Sequence, residues 1–277
     1  MRLVAAIAGL EHGGMRPVFA GGTSLSKAFG LIKRFSEDLD FRMALPEADV
    51  GRGERRAYRK LAIETIRANE DWTIEDDDVQ SRNQSQFFSC LVRYAENFAL
   101  SSALRPYIKL EMTFLSPAVQ AKEGSVSSFV SQARNDPPEA EGILCIDPVE
   151  TAADKLSALT WRVLSRQRDS ENDDPTLIRH LHDLAALEAI AASDPIFPEL
   201  LKATFSQDVD RGGVSSGRDD MTAREQFSAA LNSIVGDSEY RREYEQFVVA
   251  MSYAAEDETP SFDEALQAIR RLGDQIP

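Results

Sequence analysis

The spacing of hydrophobic residues changes along this chain, from strand-like patterns in its first half to helical patterns in its second. Apolar and polar residues alternate in Pro106–Leu115, where Ile108, Leu110, Met112 and Phe114 share one face of a predicted strand. Beyond residue 146, apolar residues recur every three or four positions, which predicts amphipathic helices. We therefore expect an α+β protein, with a strand-containing domain followed by a helical domain.

Further elements are predicted from the same patterns and from residues that start or end helices. Additional strands are predicted at Asp38–Phe41, Asp71–Asp78, Phe87–Tyr94 and Ile143–Ile146. Helices are predicted at Met1–Leu10, Glu54–Asn69, Asp147–Gln167, Ala223–Ile234, Tyr240–Ala254 and Phe262–Leu272, and another from Asp174 onward. Met1–Leu10 lacks the basic start and cleavage site of a signal peptide. Ser116–Gly142 has only weak periodicity, and Gln207–Asp220 is rich in Gly, Ser and Asp and predicts a loop.

The domain boundary is placed where the helical pattern begins. Asp147 and Pro148 are typical of a helix N-cap and of the first helical position. The predicted domains are therefore residues 1–146 and residues 147–277.

A glycine pair near the start of the chain interrupts a short apolar run. Gly21 and Gly22 allow a tight turn and let a phosphate approach the backbone closely. Thr23 or Ser24 is expected to cap a short helix that runs from Ser24 to about Leu31. The free N–H groups of that helix would lie beside the glycines, so the segment predicts an anion site.

Two acidic residues follow this predicted helix and a polar turn. Asp38 and Asp40 lie two apart in a predicted strand, so both carboxylates are expected on one face, while Leu39 and Phe41 occupy the other. Two carboxylates beside a phosphate cradle are the arrangement that two-metal phosphoryl transfer requires. The simpler alternative is a glycine turn and a hairpin with two exposed acids.

The string from Gly21 to Phe41 resembles the signature of the AbiEii and MenT-like nucleotidyltransferase toxins, within the DNA polymerase β-type nucleotidyltransferase superfamily. The likeness is carried by Gly-Gly-Thr-Ser, by Lys27 in the helix, and by Arg-Phe-Ser-Glu-Asp-Leu-Asp-Phe at residues 34–41. Later segments extend it over roughly residues 18–190. It implies a polymerase β-type nucleotidyltransferase domain with a short mixed sheet, a helical C-terminal domain, and an active site in the cleft between them.

The resemblance also implies which residues act. The nucleotide-binding residues would be Gly21, Gly22, Thr23, Ser24, Lys27 and Lys155. The metal-binding residues would be Asp38, Asp40 and Glu111, and the catalytic residues would be these three with Lys155 and Asp183. Mg²⁺ is the expected cofactor, with Mn²⁺ as an alternative, and NTP is the expected co-substrate. Without the resemblance, Glu111 could as well be an ordinary acid on the solvent-facing side of its strand. Lys155 would then be interpreted as an exposed lysine on a helix.

One matching segment departs from the family pattern. Residues 179–184, Arg-His-Leu-His-Asp-Leu, resemble the family's Arg-Asp-Leu-Tyr-Asp-Leu, with His180 in place of the first Asp. Asp183 matches the second Asp. If the first Asp were the essential one, the protein would be impaired or would use His180 instead. His180 and His182 lie two residues apart on a helix and diverge, which excludes a zinc ion shared by the pair.

The composition limits the partners of the chain. Its 277 residues carry a formal net charge of −15, which argues against a broadly basic nucleic-acid surface. The densest basic run lies between Arg52 and Arg67, either as a solvated helix face or as a patch for a phosphate backbone. No apolar run approaches membrane-spanning length. The only cysteines, Cys90 and Cys145, lie in apolar settings that suit buried thiols in a reducing cytoplasm.

Together these features predict a Mg²⁺-dependent nucleotidyltransferase that moves a nucleoside monophosphate from an NTP to an acceptor hydroxyl. The resemblance implies a toxin of a toxin–antitoxin system, with the 3′ end of tRNA as acceptor and an antitoxin as partner protein. A small molecule or a protein hydroxyl is the alternative acceptor, which the acidic charge favours. A nucleotide-binding regulator without catalysis is the third possibility, favoured by His180 and opposed by the intact pair Asp38 and Asp40.

Overall fold

The computed structural model of the chain describes residues 1–95, 105–171, 173–211 and 220–277. The chain divides into two compact units. The first unit comprises Met1–Gly30 and Phe35–Asp147, and the second comprises Leu31–Arg34 and Pro148–Pro277. Four residues inside the predicted first domain therefore belong to the second unit, which the sequence pattern did not predict.

The first unit is built on one mixed sheet. Its strands are β1 (Arg16–Ala20), β2 (Asp38–Ala44), β3 (Trp72–Thr73), β4 (Gln80–Arg82), β5 (Phe87–Tyr94), β6 (Tyr107–Thr113), β7 (Lys122–Val126) and β8 (Ala140–Cys145). Within the described residues, the order across the sheet is β3-β5-β6-β2-β1-β8-β7, with β4 paired to β5. The pairs β2–β6 and β1–β8 are parallel, and the other pairs are antiparallel.

Helices accompany the sheet in the first unit and make up most of the second. The first unit contains α1 (Arg2–Ala8), α2 (Gly21–Lys27), α3 (Arg52–Arg67) and α4 (Phe129–Arg134). The second unit contains α5 (Pro148–Ser165), α6 (Arg179–Ser193), α7 (Phe197–Arg211), α8 (Ala223–Gly236), α9 (Ser238–Met251) and α10 (Phe262–Gly273). These elements confirm the predicted α+β class with its mixed sheet.

Alternation along β2 separates the two faces of the sheet. Leu39, Phe41 and Met43 are buried, whereas Asp38 and Asp40 are half-buried at the positions between them. Successive side chains of a strand point to opposite faces, so the acids share the face that the apolar residues leave. The sequence prediction for this strand is confirmed.

The apolar face of the sheet is covered by α1 and α3. Tyr58, Ala62 and Ile66 of α3 belong to the same buried cluster as the apolar residues of β2 and β6. The ring of Tyr58 packs edge-on against Phe114, with 5.9 Å between the ring centroids. Because α3 covers the apolar face, the acids of β2 emerge on the opposite face from α3.

Several predicted boundaries were wrong. Asp71–Asp78 was predicted as one strand, but only Trp72–Thr73 is extended and Asp76–Asp78 form a turn of 3₁₀-helix. Three consecutive aspartates disfavour a strand. Ser116–Gly142 lacked a predicted element, yet it contains β7, α4 and the start of β8. The strand β7 is mostly exposed at the edge of the sheet, so it has no alternating pattern to detect.

The second unit is organised around α5. This helix packs against α6, α7 and α8, and α10 packs against α6. The predicted helices over residues 147–167, 223–234, 240–254 and 262–272 are confirmed, with ends shifted by up to three residues. Residues 207–211 of the predicted loop Gln207–Asp220 continue α7, and residues 212–219 lie outside the described part. In the described ranges, every helix is too short or too polar to cross a membrane.

Candidate active site

Asp40 is the acid most closely held at the glycine turn. It is the register partner of Ala20 across the β1–β2 pair, and Gly21 follows Ala20 directly. Gly21 has a φ of +72°, and a Cβ at this position would lie 2.0 Å from Oδ2 of Asp40. Only glycine allows both this backbone angle and this approach of the carboxylate. The glycine therefore serves to seat Asp40 against the first residue of α2.

The helix that follows begins earlier than predicted. It was expected from Ser24 to about Leu31 with Thr23 or Ser24 as its cap, but α2 runs from Gly21 to Lys27 with Ala20 as the N-cap. The hydroxyl of Thr23 donates a hydrogen bond to the carbonyl of Asp38 at 2.5 Å, so it joins α2 to β2 rather than capping the helix.

Most of the predicted phosphate-binding residues are buried. Gly22, Thr23 and Ser24 lie inside the first unit, while Gly21 is partly exposed. The part of this segment that a phosphate can reach from solvent is therefore the backbone at Gly21.

The three predicted metal ligands lie on neighbouring strands. The parallel register of β2 and β6 pairs Asp40 with Glu111, and Asp38 occupies the same face two residues before Asp40. Adjacent strands are separated by about 4.8 Å, which places the three carboxylate-bearing positions side by side. The sheet therefore brings together the residues that the sequence placed in two separate segments.

Asp38 and Glu111 each contact a basic residue of the protein. Nη2 of Arg105 lies 2.8 Å from Oδ1 of Asp38, and Arg105 also contacts Glu37. Nζ of Lys109 lies 2.5 Å from Oε1 of Glu111, on the same strand. Burial alone would lower the pKa of Arg105, but the charges of Asp38 and Glu37 outweigh it and raise that pKa. The guanidinium thus remains charged beside Asp38.

These contacts decide how a metal would fit. Among the described residues, no three acidic, histidine or cysteine side chains converge closely enough to hold a metal ion as they stand. Arg105 and Lys109 draw the carboxylates of Asp38 and Glu111 toward themselves. Carboxylate oxygens are nevertheless the ligands that Mg²⁺ and Mn²⁺ prefer. The donor set and its register would therefore suit a divalent cation, provided that the carboxylates of Asp38 and Glu111 turn away from Arg105 and Lys109.

Lys27 lies at the opposite end of α2 from Gly21, about 9 Å along the helix axis. Its Nζ lies 3.0 Å from the centroid of the Phe129 ring and makes no hydrogen bond within the described part of the chain. Burial lowers the pKa of Lys27 to about 8, against the opposing charge of Glu139. The structure therefore places the Lys27 ammonium against an aromatic ring and not beside the three acids.

Asp183 and Lys155 lie together in the second unit. Asp183 is fully buried, and Nε and Nη2 of Arg34 approach its two oxygens at 2.6 Å each. Nζ of Lys155 lies 2.8 Å from Oδ2 of the same carboxylate. Burial alone would raise the pKa of Asp183, but the charges of Arg34 and Lys155 hold it well below its ordinary value. Lys155 is thus a buried ion-pair partner and not an exposed helical lysine.

His180 stands where the family pattern has its first Asp, in an environment that differs from that of a charged acid. It is buried, and within the described residues neither of its ring nitrogens has a hydrogen-bond partner. Burial, and then the charge of Lys155, lower its pKa well below the ordinary value, so the ring is neutral. A neutral imidazole without partners supplies neither a carboxylate nor a cation.

Sequence reasoning gave no role to Arg34 or Arg105. Arg34 belongs to the signature string, so a detectable signal existed, but its partner Asp183 lies 149 residues further along the chain. Arg105 has no sequence feature that marks it, because its contacts with Glu37 and Asp38 span more than sixty residues.

A comparison with protein families identifies the family to which this chain belongs. The model of the nucleotidyl transferase AbiEii toxin family, of type IV toxin–antitoxin systems, matches residues 2–268. The chain belongs to this family. It is accordingly a nucleotidyltransferase toxin of a type IV toxin–antitoxin system, with an NTP as substrate and an antitoxin as partner. The family predicted from the sequence is confirmed.

Comparisons with individual proteins bear on the fold. No curated protein matches this AbiEii-family chain. Among solved structures, the chain is similar to the nucleotidyltransferase toxin MenT4 from Mycobacterium tuberculosis H37Rv. The two are 19% identical, the match covers 100% of this chain and 90% of that one, and the TM-score is 0.50. This likeness supports the AbiEii-family fold and does not assign individual site residues.

Proposed function

We propose that this AbiEii-family enzyme transfers a nucleoside monophosphate from an NTP to the 3′-terminal hydroxyl of tRNA, and that the reaction depends on Mg²⁺. The observation that carries the proposal is the seating of Asp40 between Gly21 and Glu111. A glycine turn open to a phosphate, with three carboxylates on the adjoining strands, suits phosphoryl transfer better than any other arrangement among the described residues.

The chemistry assigns a role to each acid. The acceptor hydroxyl attacks the α-phosphorus, a new P–O bond forms as the bond to the β-phosphate oxygen breaks, and pyrophosphate leaves. Glu111 takes the proton from the attacking hydroxyl, directly or through water. Asp38, Asp40 and Glu111 would hold Mg²⁺ or Mn²⁺, which when bound supplies charge stabilisation at the attacking and leaving oxygens. The backbone at Gly21 receives a phosphate.

Arg105 and Lys109 have two states in this proposal. Without metal they neutralise Asp38 and Glu111 on the sheet face. Once released, both cations remain near the acids and are suited to contact triphosphate oxygens, Arg105 through its planar fork and Lys109 as a point charge.

The remaining predicted residues are proposed with narrower roles. By family resemblance Lys155 contacts the triphosphate and Asp183 is catalytic, but both are buried together beside Arg34. That burial supports a positioning role, in which they fix the segment Leu31–Arg34 that lies between the glycine turn and β2. Nucleotide binding by Lys27 requires its ammonium to leave the Phe129 ring.

The test is a transfer assay with each α-labelled NTP, total RNA and Mg²⁺, resolved on a gel. We expect label on RNA of tRNA size with at least one NTP, lost with chelator and lost in Asp40→Asn. Mapping of the labelled product locates the added nucleotide at the 3′ end. Label anywhere else along the RNA contradicts the proposed acceptor hydroxyl.

A second acceptor class is favoured by one observation. The formal net charge of −15 opposes RNA and suits a small molecule or a protein hydroxyl. Label on protein or on a small product, with none on RNA, selects this alternative. NTP binding without any transfer identifies a regulator that has lost catalysis. Either acceptor fits a cytoplasmic enzyme, in keeping with the free, buried thiols of Cys90 and Cys145.

A further inference from the structure

The outer surface of α3 carries an excess of positive charge in an acidic protein. The helix contains six basic and two acidic side chains over Arg52–Arg67, whereas the whole chain has a formal net charge of −15. Tyr58, Ala62 and Ile66 form its buried side. The helical repeat places basic residues at spacings of three and four along the side that faces solvent.

The basic residues line a shallow, open groove beside the helix. The groove has a volume of about 610 Å³ and is bounded on its other side by Asp76 and Val79. Glu64 also lines it and pairs with Lys60 at 3.6 Å, so its four basic residues face two acids. We call it the basic groove and define it by its four cationic residues, Arg56, Arg59, Lys60 and Arg67. A concave surface with several cations suits a ligand with more than one negative charge.

The cations of the basic groove differ in how they are held. Within the described residues, the side chains of Arg56 and Arg59 make no hydrogen bond or ion pair. Arg67 is fixed by the carbonyl of Ile74 at 2.9 Å and by Asp76 at 2.6 Å. Two guanidinium groups are therefore available to an incoming anion beside one that is already held in place.

The position of the basic groove limits what it can bind. It lies between α3 and the segment that contains Asp76 and Val79, and α3 covers the face of the sheet opposite to Asp38, Asp40 and Glu111. A single nucleotide bound at the acids cannot reach from one face of the sheet to a groove beside the helix on the other face, since a sheet and its covering helix are together about 20 Å thick. A ligand that engages both places must be an extended polyanion.

We propose that the basic groove binds the phosphate backbone of the RNA acceptor at a distance from its reacting 3′ end. This inference rests on the proposed function and adds a docking surface to it. Guanidinium forks match phosphate geometry, and each phosphate contact releases counterions from the RNA. The acidic charge elsewhere on the chain repels RNA, so local binding here also sets its orientation.

The test compares the double variant Arg56→Glu/Arg59→Glu with a control of equal charge change, Arg16→Glu/Arg134→Glu. Arg16 and Arg134 are exposed on the same unit and lie outside the groove. Each variant is assayed with full-length tRNA and with a short oligonucleotide of the tRNA 3′ end. Direct binding of tRNA is measured at several salt concentrations.

For the groove variant we expect the KM for full-length tRNA to rise by roughly tenfold and the slope of log affinity against log salt to fall by about 2. Transfer to the short oligonucleotide and the KM for NTP should not change, and the control should behave as the parent. The milder variant Arg56→Gln/Arg59→Gln should give a smaller change in the same direction. This milder variant provides the test if the charge-reversal variant does not fold.

Two results overturn the proposal. Equal tRNA affinity in the parent and the groove variant shows that the groove does not bind RNA. Equal losses with full-length tRNA and the short oligonucleotide show that the effect arises at the reacting end. Failure of the proposed function can be distinguished from failure of this inference. If the proposed function is wrong, the parent protein labels no RNA, but the binding measurement still shows whether the groove binds tRNA.

Discussion

Two groups of ion pairs in this protein use the same chemical groups in opposite environments. In the first unit, Asp38 and Glu111 pair with Arg105 and Lys109, and all four side chains are between 20% and 36% exposed. In the second unit, Asp183 has no exposed surface, and its partner Arg34 is 4% exposed. Solvent therefore reaches one set of ion pairs and not the other.

This difference in exposure suits the two groups of ion pairs to different roles, one to ligand binding and the other to holding a segment of the chain in position. A surface ion pair contributes about 0–1 kcal/mol, and these partly exposed pairs lie closer to that case than to a buried pair, so their partners can exchange for a metal or a phosphate. Removal of one partner from a buried ion pair costs about 3–5 kcal/mol, because it leaves an uncompensated charge. The first cluster is thus suited to bind and release ligands, and the second to hold Leu31–Arg34 in place.

Loss of a carboxylate from the exposed cluster should have the largest effect on activity. Asp40→Asn should reduce transfer by more than about 100-fold. Loss of a residue that only supports a metal ligand costs about 10–100-fold, and Asp40 is proposed to bind the metal directly. The melting temperature should be unchanged or higher, because Asp40 lies near other carboxylates. Transfer rates and thermal unfolding in metal-free buffer check this. Full activity in the variant would remove Asp40 from the proposed metal site.

Loss of the buried carboxylate should have the largest effect on stability. Asp183→Asn should lower the free energy of unfolding by about 3–5 kcal/mol, because Arg34 and Lys155 then lose their counter-charge. Urea denaturation measures the change. Addition of Lys155→Met to Asp183→Asn should restore part of the loss. A stable Asp183→Asn protein with no activity would instead indicate a direct role in catalysis.

The same carboxylate should govern stability in acid. Its pKa in the folded protein is held well below the ordinary value. Its contribution to stability is therefore present above the ordinary pKa of about 3.9 and lost as the pH falls toward the folded-state value. The parent should lose stability more steeply than Asp183→Asn below about pH 4. Parallel curves for the two proteins would contradict the assigned pKa.

A methyl group at the glycine turn should disturb the exposed cluster without removing a charge. Gly21→Ala places a Cβ 2.0 Å from Oδ2 of Asp40, so the carboxylate must move and activity should fall by roughly tenfold or more. Gly30→Ala is the matched control, because Gly30 has a φ of +64° and a Cβ added there would meet no atom within 4 Å. Both variants should lose about 1–2 kcal/mol of stability from backbone strain. Equal activities would show that the approach of Asp40 to Gly21 is unimportant.

Removal of a protein cation from the exposed cluster should have a smaller effect on metal use. Arg105→Gln frees Asp38 from a competing charge, so the Mg²⁺ concentration at half-maximal activity should fall by a few-fold. Lys33→Gln, in the second unit, removes a cation that pairs with Glu258 and serves as the control. A higher Mg²⁺ requirement in Arg105→Gln would mean that Arg105 assists the reaction more than it competes with the metal.

The smallest predicted effect concerns Lys27. Burial lowers its pKa from the ordinary 10.5 to about 8, so between these values the unfolded chain binds the proton more tightly. The contribution of Lys27 to stability therefore rises with pH across this window. Lys27→Met should abolish that rise, which thermal unfolding at pH 7.5 to 10 can measure. An unchanged slope would show that the ammonium is more hydrated than its position on Phe129 indicates.

Local sequence was sufficient for the strand that carries the acids. The alternation Asp38-Leu39-Asp40-Phe41 determines which side chains share a face, because the period of a strand is two whatever surrounds it. The family signature, the helical second half and the strand at Phe87–Tyr94 were predicted for the same reason: each is encoded in neighbouring residues. The start of α2 was not, because it depends on the contact between Gly21 and Asp40.

Tertiary structure decided the partners of the charged residues. No local pattern shows that Glu111 lies beside Asp40, that Arg105 contacts Asp38, or that Arg34 belongs with Asp183. Such contacts join residues far apart in the chain, and their energies depend on burial, which exists only after folding. The sequence by itself therefore identified the family and the candidate acidic residues. The fold determined which of these acids are exposed to solvent and which are buried in ion pairs.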